Sequence, residues 1–213
     1  VFLYRNGYEV PFLVAGPDIK KRGRVSHAPV TTTDIYATVL DIIGVKQPKQ
    51  SKRDSLSFMS VLSGGNGKRK YNVTESFPPT ATVGGILPVA GASAVDDGRV
   101  VGDSRFRLIA RPVFDAATNA YVCSPGSQQD PFKDCLNENT GIYEKVINLE
   151  FYDLEHDPFE NDALVVDEMS PYQLEAFLKL CDAINNVSSR AIYYQNGADC
   201  HADGSNLTNI DPL

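Results

Sequence analysis

The sequence predicts an α/β fold, and three features of the chain support this prediction. Residues 10–19 form a continuous apolar run, which suits a strand buried on both faces of a sheet between helix layers. An amphipathic helical pattern follows over residues 31–43, and a strand followed by such a helix is typical of α/β proteins. Alternating segments after residue 70 indicate antiparallel strands that precede one more helix. We therefore expect an incomplete α/β domain in residues 1–70 and a small antiparallel α+β subdomain with a closing helix in residues 71–213.

Residues 31–43 carry both the start and the stop signals of a helix. Thr31 and Asp34 form a start that resembles a capping box, and Gly44 is a natural stop. The apolar stripe of this helix consists of Ile35, Val39, Ile42 and Ile43. Residues 46–53 are typical of a polar linker, and residues 58–65 of a short helix that ends in glycine.

The apolar run at residues 10–15 has no obvious partner strand close to it in the chain. A strand that is apolar on both faces needs parallel neighbours and helices on both sides. We therefore expect Phe12, Leu13 and Val14, together with part of the helix stripe, to expose an apolar patch.

The second predicted domain contains a hairpin and a closing helix. Residues 98–103 and 105–112 predict the hairpin, with Phe106 and Leu108 on one face, and residues 71–77 and 146–154 would complete a small antiparallel sheet. Residues 78–98, rich in proline and glycine, predict a long loop. The closing helix, residues 170–185, opens with Ser170 as N-cap, Pro171 in the first turn and Gln173 closing a capping box. Its apolar stripe consists of Leu174, Phe177, Leu178, Cys181 and Ile184.

Charge is distributed unevenly along the 213 residues, whose net charge is −7. Residues 1–70 hold 12 basic and 5 acidic side chains (+7), and residues 71–213 hold 8 and 22 (−14). The basic front third could face an anionic ligand, although solvated loop charges explain it more simply. These charges are Lys20, Lys21, Arg22, Arg24, Lys68, Arg69 and Lys70. No aromatic side chains interleave with them and no apolar run approaches the ~20 residues of a membrane span, so we expect neither a nucleic-acid nor a membrane partner.

Four cysteines and three sequons favour a secreted or extracellular/lumenal glycoprotein. Cys123, Cys135, Cys181 and Cys200 allow three pairings, of which 123 with 135 and 181 with 200 close the shortest loops. The sequons begin at Asn72, Asn186 and Asn206, and triplets of this kind also arise by chance. We expect two disulfides, as is common outside the cell.

Residues 151–162 concentrate five carboxylates and His156, which raises the question of a metal site. Calcium loops alternate oxygen ligands in a similar way, but they need a glycine at the sharp turn and a bidentate glutamate at the far end. Pro158 stands where this chain would have to wrap around the ion. A polar turn after a strand explains the segment better, so we predict that it binds no calcium.

Five segments recur, in this order, in one enzyme family. They are LYRNGYEVPFLVAGPDI (3–19), VSHAPVTTTDIYATVLDIIGV (25–45), SLSFMSVLSG (55–64), GRVVGDSRFRLI (98–109) and FYDLEHDPFENDAL (151–164). Together they resemble the carboxy-terminal portion of a type I sulfatase, an arylsulfatase-like member of the alkaline phosphatase superfamily. Arg5 and Glu9 exchange the charges usual in the family, and Ala37 replaces a proline before Thr38.

The resemblance implies a fold and an activity. Residues 1–70 would be the end of the large mixed sheet of the sulfatase catalytic domain, and the whole enzyme would hydrolyse sulfate esters of anionic substrates, including carbohydrates. Its chemistry would require a formylglycine nucleophile, calcium, and a lysine aligned just before Val1. All of these would belong to an amino-terminal catalytic portion missing from this chain. The resemblance therefore implies that the isolated chain is inactive and contains neither catalytic residues nor metal ligands.

Two local features bear on the active site that the resemblance implies. Residues 123–127 resemble the family's Cys-x-Pro-x-Arg nucleophile signature, but Ser127 replaces the arginine, so we assign no nucleophile there. His27 follows the long apolar run and is the candidate for lining a substrate pocket, because loops beyond strand ends carry ligands in such sheets. A surface histidine in a basic loop is the competing interpretation.

Two other functions remain open. A phosphodiesterase or phosphonate hydrolase of the same superfamily would share the tail segments, because a fold is shared more widely than its chemistry. A non-catalytic module that binds sulfated glycans through the basic front third would show salt-sensitive binding without turnover.

Overall fold

The computed structural model describes most of the chain outside two long stretches, residues 77–97 and 189–213. The described residues are 4, 9–17, 19, 22–48, 55–76, 98–115, 117–118, 120–123, 126–129, 135–139, 142–143 and 147–188. The predicted long loop therefore lies, apart from Gly98, outside the described residues. So do Cys200, His201 and Asn206.

The chain divides into two compact units, which we call the sheet unit and the helical unit. The sheet unit comprises Val1–Tyr8, Val73–Val101 and Phe106–Leu213, and the helical unit comprises Glu9–Asn72 and Gly102–Arg105.

The helical unit contains two described helices, α1 (Asp34–Ile42) and α2 (Met59–Leu62). The predicted first helix is confirmed but is shorter at both ends than residues 31–43. Gly44 follows it with φ +71°, a left-handed conformation that glycine adopts at little cost and that ends the helix. The short helix expected in residues 58–65 is α2, and it is likewise followed by a glycine with positive φ, Gly64.

Helix α1 buries its polar face rather than its apolar one. Asp34, Ala37 and Thr38 are buried, whereas the predicted stripe is exposed: Ile35 by 40%, Val39 by 47%, Ile42 by 59% and Ile43 by 61%. The buried face of α1 forms hydrogen bonds with residues 55–58, the segment that leads into α2. Ser55 accepts from the N–H of Ala37 (3.0 Å), and the Thr38 hydroxyl accepts from the N–H of Phe58 (3.1 Å).

The strand predicted in the apolar run is wrong: residues 10–15 form neither a strand nor a helix, because no described strand is hydrogen-bonded to them. Phe12 packs edge-on against Phe58, with ring centroids 5.6 Å apart, but it remains 50% exposed. Leu13 is 92% exposed and Val14 42%. The exposure predicted for Phe12, Leu13 and Val14 with the helix stripe is thus confirmed.

The sheet unit is built on a four-stranded sheet with the order β1-β2-β3-β9. Its strands are β1 (Asn72–Ser76), β2 (Gly98–Gly102), β3 (Phe106–Pro112) and β9 (Ile147–Asp153). Strands β3 and β9 pair antiparallel along seven positions, from Phe106 opposite Asp153 to Pro112 opposite Ile147. The three residues between β2 and β3 are too few for a parallel crossover, so these strands form the predicted hairpin.

The closing helix α3 (Pro171–Ser188) packs against β3. Phe151 on β9 stacks with Phe106 (5.4 Å between centroids) and meets Phe177 of α3 edge-on (5.4 Å). Each fully buried side chain of this kind stabilises the fold by about 1.5–3 kcal/mol. On the other face, Val100, Ile109 and Tyr152 form a second cluster.

Between β3 and β9 the chain forms two small sheets and a disulfide. Strands β4 (Phe114–Asp115) and β5 (Ala120–Tyr121) pair antiparallel. The strands β6 (Gln128–Gln129), β7 (Cys135–Asn137) and β8 (Ile142–Tyr143) form a three-stranded antiparallel sheet. Cys123 and Cys135 are disulfide-bonded, with their Cα atoms 5.1 Å apart.

Among the described helices, none combines the length and the apolar character that crossing a bilayer requires.

Candidate functional site

Asp34, the first residue of α1, is the most highly connected buried carboxylate of the helical unit. It is 1% exposed and forms a two-point ion pair with Arg69, whose Nε and Nη2 donate at 2.8 and 2.5 Å. The backbone N–H groups of Leu56 (2.8 Å) and Thr31 (3.0 Å) also donate to it. Burial alone would raise the pKa of Asp34, but the hydrogen bonds from Arg69, Leu56 and Thr31 outweigh it and hold the pKa below its ordinary value.

This ion pair corrects one prediction about the basic front third. Arg69 was expected to be a solvated loop charge, but it forms an ion pair with Asp34. Arg24 donates to the carbonyl of Val61 at 2.8 Å and so fixes the loop that precedes α1. Lys68 and Lys70 are exposed. Two of the predicted surface charges are therefore engaged in holding the fold.

His27, the substrate-pocket candidate, is exposed in the loop between residues 22 and 31. The hydroxyl of its neighbour Ser26 accepts from the N–H of Ala28 (3.3 Å), which forms a local turn around the histidine. The imidazole is therefore presented to solvent. Its pocket role remains a prediction.

The acidic segment at residues 151–162 is a turn whose carboxylates bind its own backbone. Asp153 is buried at the end of β9, and its carboxylate accepts from the N–H of Glu155 (3.2 Å) and contacts Nδ1 of His156 (2.9 Å). Asp157 accepts from the N–H of Asp162 (3.0 Å). That backbone hydrogen bond is the main reason why the pKa of Asp157 lies below its ordinary value.

Glu160 closes the same turn in a strained conformation. Its φ is +57°, in the left-handed region that non-glycine residues rarely occupy. Its buried carboxylate accepts from Nη1 of Arg107 on β3 at 2.5 Å, and this ion pair ties the turn to the sheet. A charge-assisted hydrogen bond in a buried setting is strong enough to offset strain of about 1–3 kcal/mol.

One group in the described residues has donor atoms close enough to hold a metal ion: Asp153, Glu155 and His156, all within 4.8 Å of one another. The group does not fit calcium, which takes six to eight oxygen ligands. Asp153 already accepts the hydrogen bonds described above, and His156 supplies a nitrogen. The arrangement stabilises the turn, and we assign no metal to it.

A second buried carboxylate, Glu150 on β9, gathers four polar groups on the face of the sheet opposite α3. The hydroxyls of Tyr4 and Tyr152 both donate to its Oε2 at 2.9 Å, and Asn148 and Arg111 reach Oε1. Burial and the Glu150 hydrogen bond both raise the pKa of Tyr152 and, less strongly, that of Tyr4. This cluster anchors Tyr4 to the sheet.

An open cavity of 460 Å³ lies beside the disulfide in the sheet unit. It is lined by Asp115, Thr118, Tyr121, Val122, Cys123, Ser127, Gln128 and Gln129. The sequence offered no signal for it, because its walls come from two-residue strands that only tertiary pairing defines.

The remaining predicted site residues are partly within the described chain. Asn72 begins β1 and is half-buried, and Asn186 lies in α3. Cys181 is buried in the same helix, and its predicted partner Cys200 lies outside the described residues. Glycosylation and the second disulfide therefore stay predictions.

Comparison with known proteins gives structural matches alone. No family model matches the chain, and no curated protein matches it. Several solved structures are similar to this chain. A protein assigned as a sulfatase in Bacteroides thetaiotaomicron VPI-5482 is 18% identical, with a TM-score of 0.47, over 83% of this chain and 28% of that one.

Two other solved structures are similar to this chain at comparable sequence identity. One, from work on the metabolism of multiple glycosaminoglycans by Bacteroides thetaiotaomicron, is 16% identical with a TM-score of 0.40, over 74% of this chain and 24% of that one. The other is BT4656 in complex with its substrate D-glucosamine-2-N,6-O-disulfate. It is 18% identical with a TM-score of 0.41, over 73% of this chain and 23% of that one. The chain thus spans about a quarter of the length of the solved proteins that it matches.

Proposed function

We propose that this chain is the carboxy-terminal portion of a secreted sulfatase, and that the whole enzyme hydrolyses sulfate esters of carbohydrates. The observation that carries the proposal is the inverted burial of α1. Its polar face is fully used within the helical unit, whereas its apolar stripe and residues 12–14 are exposed. Leaving an apolar side chain in water forgoes about 1.5–3 kcal/mol, so a surface with seven of them is expected to be covered in the functional protein.

An amino-terminal catalytic portion is the partner that fits this face. A run that is apolar on both sides suits a strand inside a sheet flanked by helices, but residues 10–14 form no strand and have no hydrogen-bonded neighbour in the described chain. In the sulfatase resemblance, the rest of the large sheet would supply such neighbours. The two segments that carry this face, residues 3–19 and 25–45, are the longest of the five that resemble the family.

The structural roles of the resembling segments support the same proposal. Asp34 and Ser55 lie in two different segments and meet around the start of α1, where the Ser55 hydroxyl donates to the Thr33 carbonyl at 2.6 Å. The tail segment forms the turn closed by Glu160 and bound to Arg107 of the hairpin segment. These contacts join the second segment to the third and the fifth segment to the fourth. The segments therefore hold one another in place, which explains why they occur together.

In this proposal the described residues position the active site and do not perform the bond-breaking step. Calcium and the formylglycine would be held upstream of Val1, and calcium would stabilise the charge of the sulfate group. His27 would face the substrate from the loop before α1, where an imidazole could donate a hydrogen bond to a sulfate oxygen.

The glycan-binding alternative has less support than the sulfatase proposal, and the phosphodiesterase alternative remains open. The engagement of Arg69 and Arg24 within the fold removes part of the cationic surface that a sulfated-glycan module would use. No described residue distinguishes a sulfate ester from a phosphodiester, so that distinction depends on the upstream nucleophile.

The experiment is to determine the coding sequence upstream of Val1. We expect a Cys-x-Pro-x-Arg or Ser-x-Pro-x-Arg motif, an early pair of aspartates, and a lysine just before Val1. A threonine nucleophile context would favour the phosphodiesterase alternative. An upstream region without any acidic metal motif would contradict the proposal.

A further inference from the structure

The cavity beside the disulfide has walls that are held by several independent restraints. Strands β4 and β5 form one wall, with Asp115 paired to Ala120. Strand β6 forms another and pairs with β7, where Gln129 lies opposite Cys135. The disulfide from Cys135 to Cys123 joins the two walls, and the Gln129 amide donates to the Tyr121 carbonyl at 3.2 Å. These bonds restrain the residues that line the cavity, and a restrained site loses less conformational entropy when it binds a ligand.

The lining combines groups that both donate and accept hydrogen bonds with an apolar surface. Gln128 and Gln129 carry amides, and Thr118 and Ser127 carry hydroxyls. Tyr121 and Val122 add an aromatic ring and an aliphatic side chain. Pockets of a few hundred Å³ with a few convergent polar groups on an apolar base are typical small-molecule sites.

The charge of the lining disfavours anionic ligands. Asp115 is the single ionisable acid among the described lining residues, and none of them is basic. Its carboxylate accepts from the N–H of Ala117 and the hydroxyl of Thr118, both at 2.9 Å. A sulfate or carboxylate group in this cavity would therefore meet a negative charge with no cation to offset it.

We propose that this cavity is a binding subsite for a neutral, hydroxyl-rich sugar ring. Sugar hydroxyls act as both donors and acceptors, as amide and hydroxyl side chains do, and the C–H face of the ring matches the tyrosine and valine surface. The subsite would hold an unsulfated residue of a glycan rather than the group that reacts. The choice of a sugar over other hydroxyl-rich molecules rests on the proposed function.

The test is an NMR titration of the purified 213-residue chain with a neutral hexamer of N-acetylglucosamine. We expect saturable shifts of the backbone amides in β4, β5 and β6. Gln128→Ala, which removes an exposed amide, should weaken binding about five- to tenfold, the effect of one lost hydrogen bond. Glu168→Ala, an exposed substitution outside the cavity, is the matched control and should leave the affinity unchanged.

A 6-O-sulfated hexamer provides the second arm. It should bind more weakly than the neutral hexamer, and Asp115→Asn should narrow the difference between the two. The proposal is overturned if the neutral hexamer gives no saturable shifts, if Gln128→Ala binds as tightly as the unaltered chain, or if the sulfated hexamer binds more tightly. Because the titration measures binding without turnover, its outcome is independent of whether the whole enzyme is a sulfatase.

Discussion

Asp34 should contribute more to stability than any other polar residue of the helical unit, because it is buried and accepts four hydrogen bonds, two from Arg69 and one each from the backbone N–H groups of Leu56 and Thr31. Asp34→Asn leaves the Arg69 guanidinium without its charged partner and should lower the free energy of unfolding by about 3 kcal/mol. Urea denaturation followed by far-ultraviolet circular dichroism measures the change. Asp41→Asn, an exposed substitution in the same helix, is the control and should have an effect below about 0.5 kcal/mol.

The same ion pair predicts a pH dependence. Because the pKa of Asp34 is lower in the folded state than its ordinary value of 3.8, its contribution is fully present above that value. It is lost as the pH falls through the lower folded pKa. The unaltered chain should therefore lose more stability than Asp34→Asn between about pH 5 and pH 2. Parallel acid unfolding curves for the two proteins would contradict the assignment.

Tyr152 should show the opposite pH dependence. Burial and the Glu150 hydrogen bond raise its pKa, so the folded state favours the neutral phenol. Stability from this group is present below the ordinary tyrosine pKa of 10.0 and is lost as the pH rises above it. Tyr152→Phe should cost about 1–2 kcal/mol at neutral pH and should flatten the decline above pH 10. The free energy of unfolding of the unaltered and substituted chains is measured as the pH rises above 10, and its slope against pH is compared. Equal slopes would refute the role of Tyr152.

At the scale of elements, the turn at residues 151–162 should bind no calcium. Its carboxylates accept backbone N–H groups and an arginine, and these bonds would have to break to form a coordination shell. Calorimetric titration with calcium should give no saturable heat in the micromolar range. A micromolar isotherm that Asp157→Ala abolishes would show that the turn is a calcium site.

The elements with local signals could be predicted from the sequence. Ser170 and Gln173 form the expected capping box of α3, because such a box needs residues only three positions apart: the Gln173 side chain accepts from the Ser170 N–H at 2.9 Å. The hairpin prediction put Phe106 and Leu108 on one face, because alternation along a strand fixes the face of each residue, and both are buried.

Contacts between distant residues could not be predicted in the same way. Arg69 was assigned to a solvated loop because nothing near it in the chain indicates a partner, and Asp34 lies 35 positions away. The cavity beside the disulfide could not be predicted either, because short strands leave no periodic pattern in a sequence. At the candidate site, the histidine could be named from its position after the apolar run, but its role in a substrate pocket stays a prediction.

For the molecule as a whole, the apolar face of the helical unit should bind hydrophobic dye. Leu13→Ser removes its most exposed side chain, at 92%, and should reduce dye fluorescence while changing the free energy of unfolding by less than about 0.5 kcal/mol. Val61→Ser, at a site 8% exposed, is the contrasting variant and should destabilise the chain by about 1–3 kcal/mol. Dye fluorescence and urea denaturation of both variants test this. Absence of dye binding by the unaltered chain would show that the face is already covered.

The central proposal is that this chain would supply the framework of a sulfatase and that an amino-terminal portion would supply the chemistry. The most direct measurement is release of sulfate from an aryl sulfate by the purified 213-residue chain and by the protein expressed with its upstream coding region. We predict turnover by the longer protein, loss of that turnover on chelation of calcium, and none by the 213-residue chain. Turnover by the 213-residue chain that survives chelation and follows the protein through purification would contradict the account, as would a longer protein that releases no sulfate.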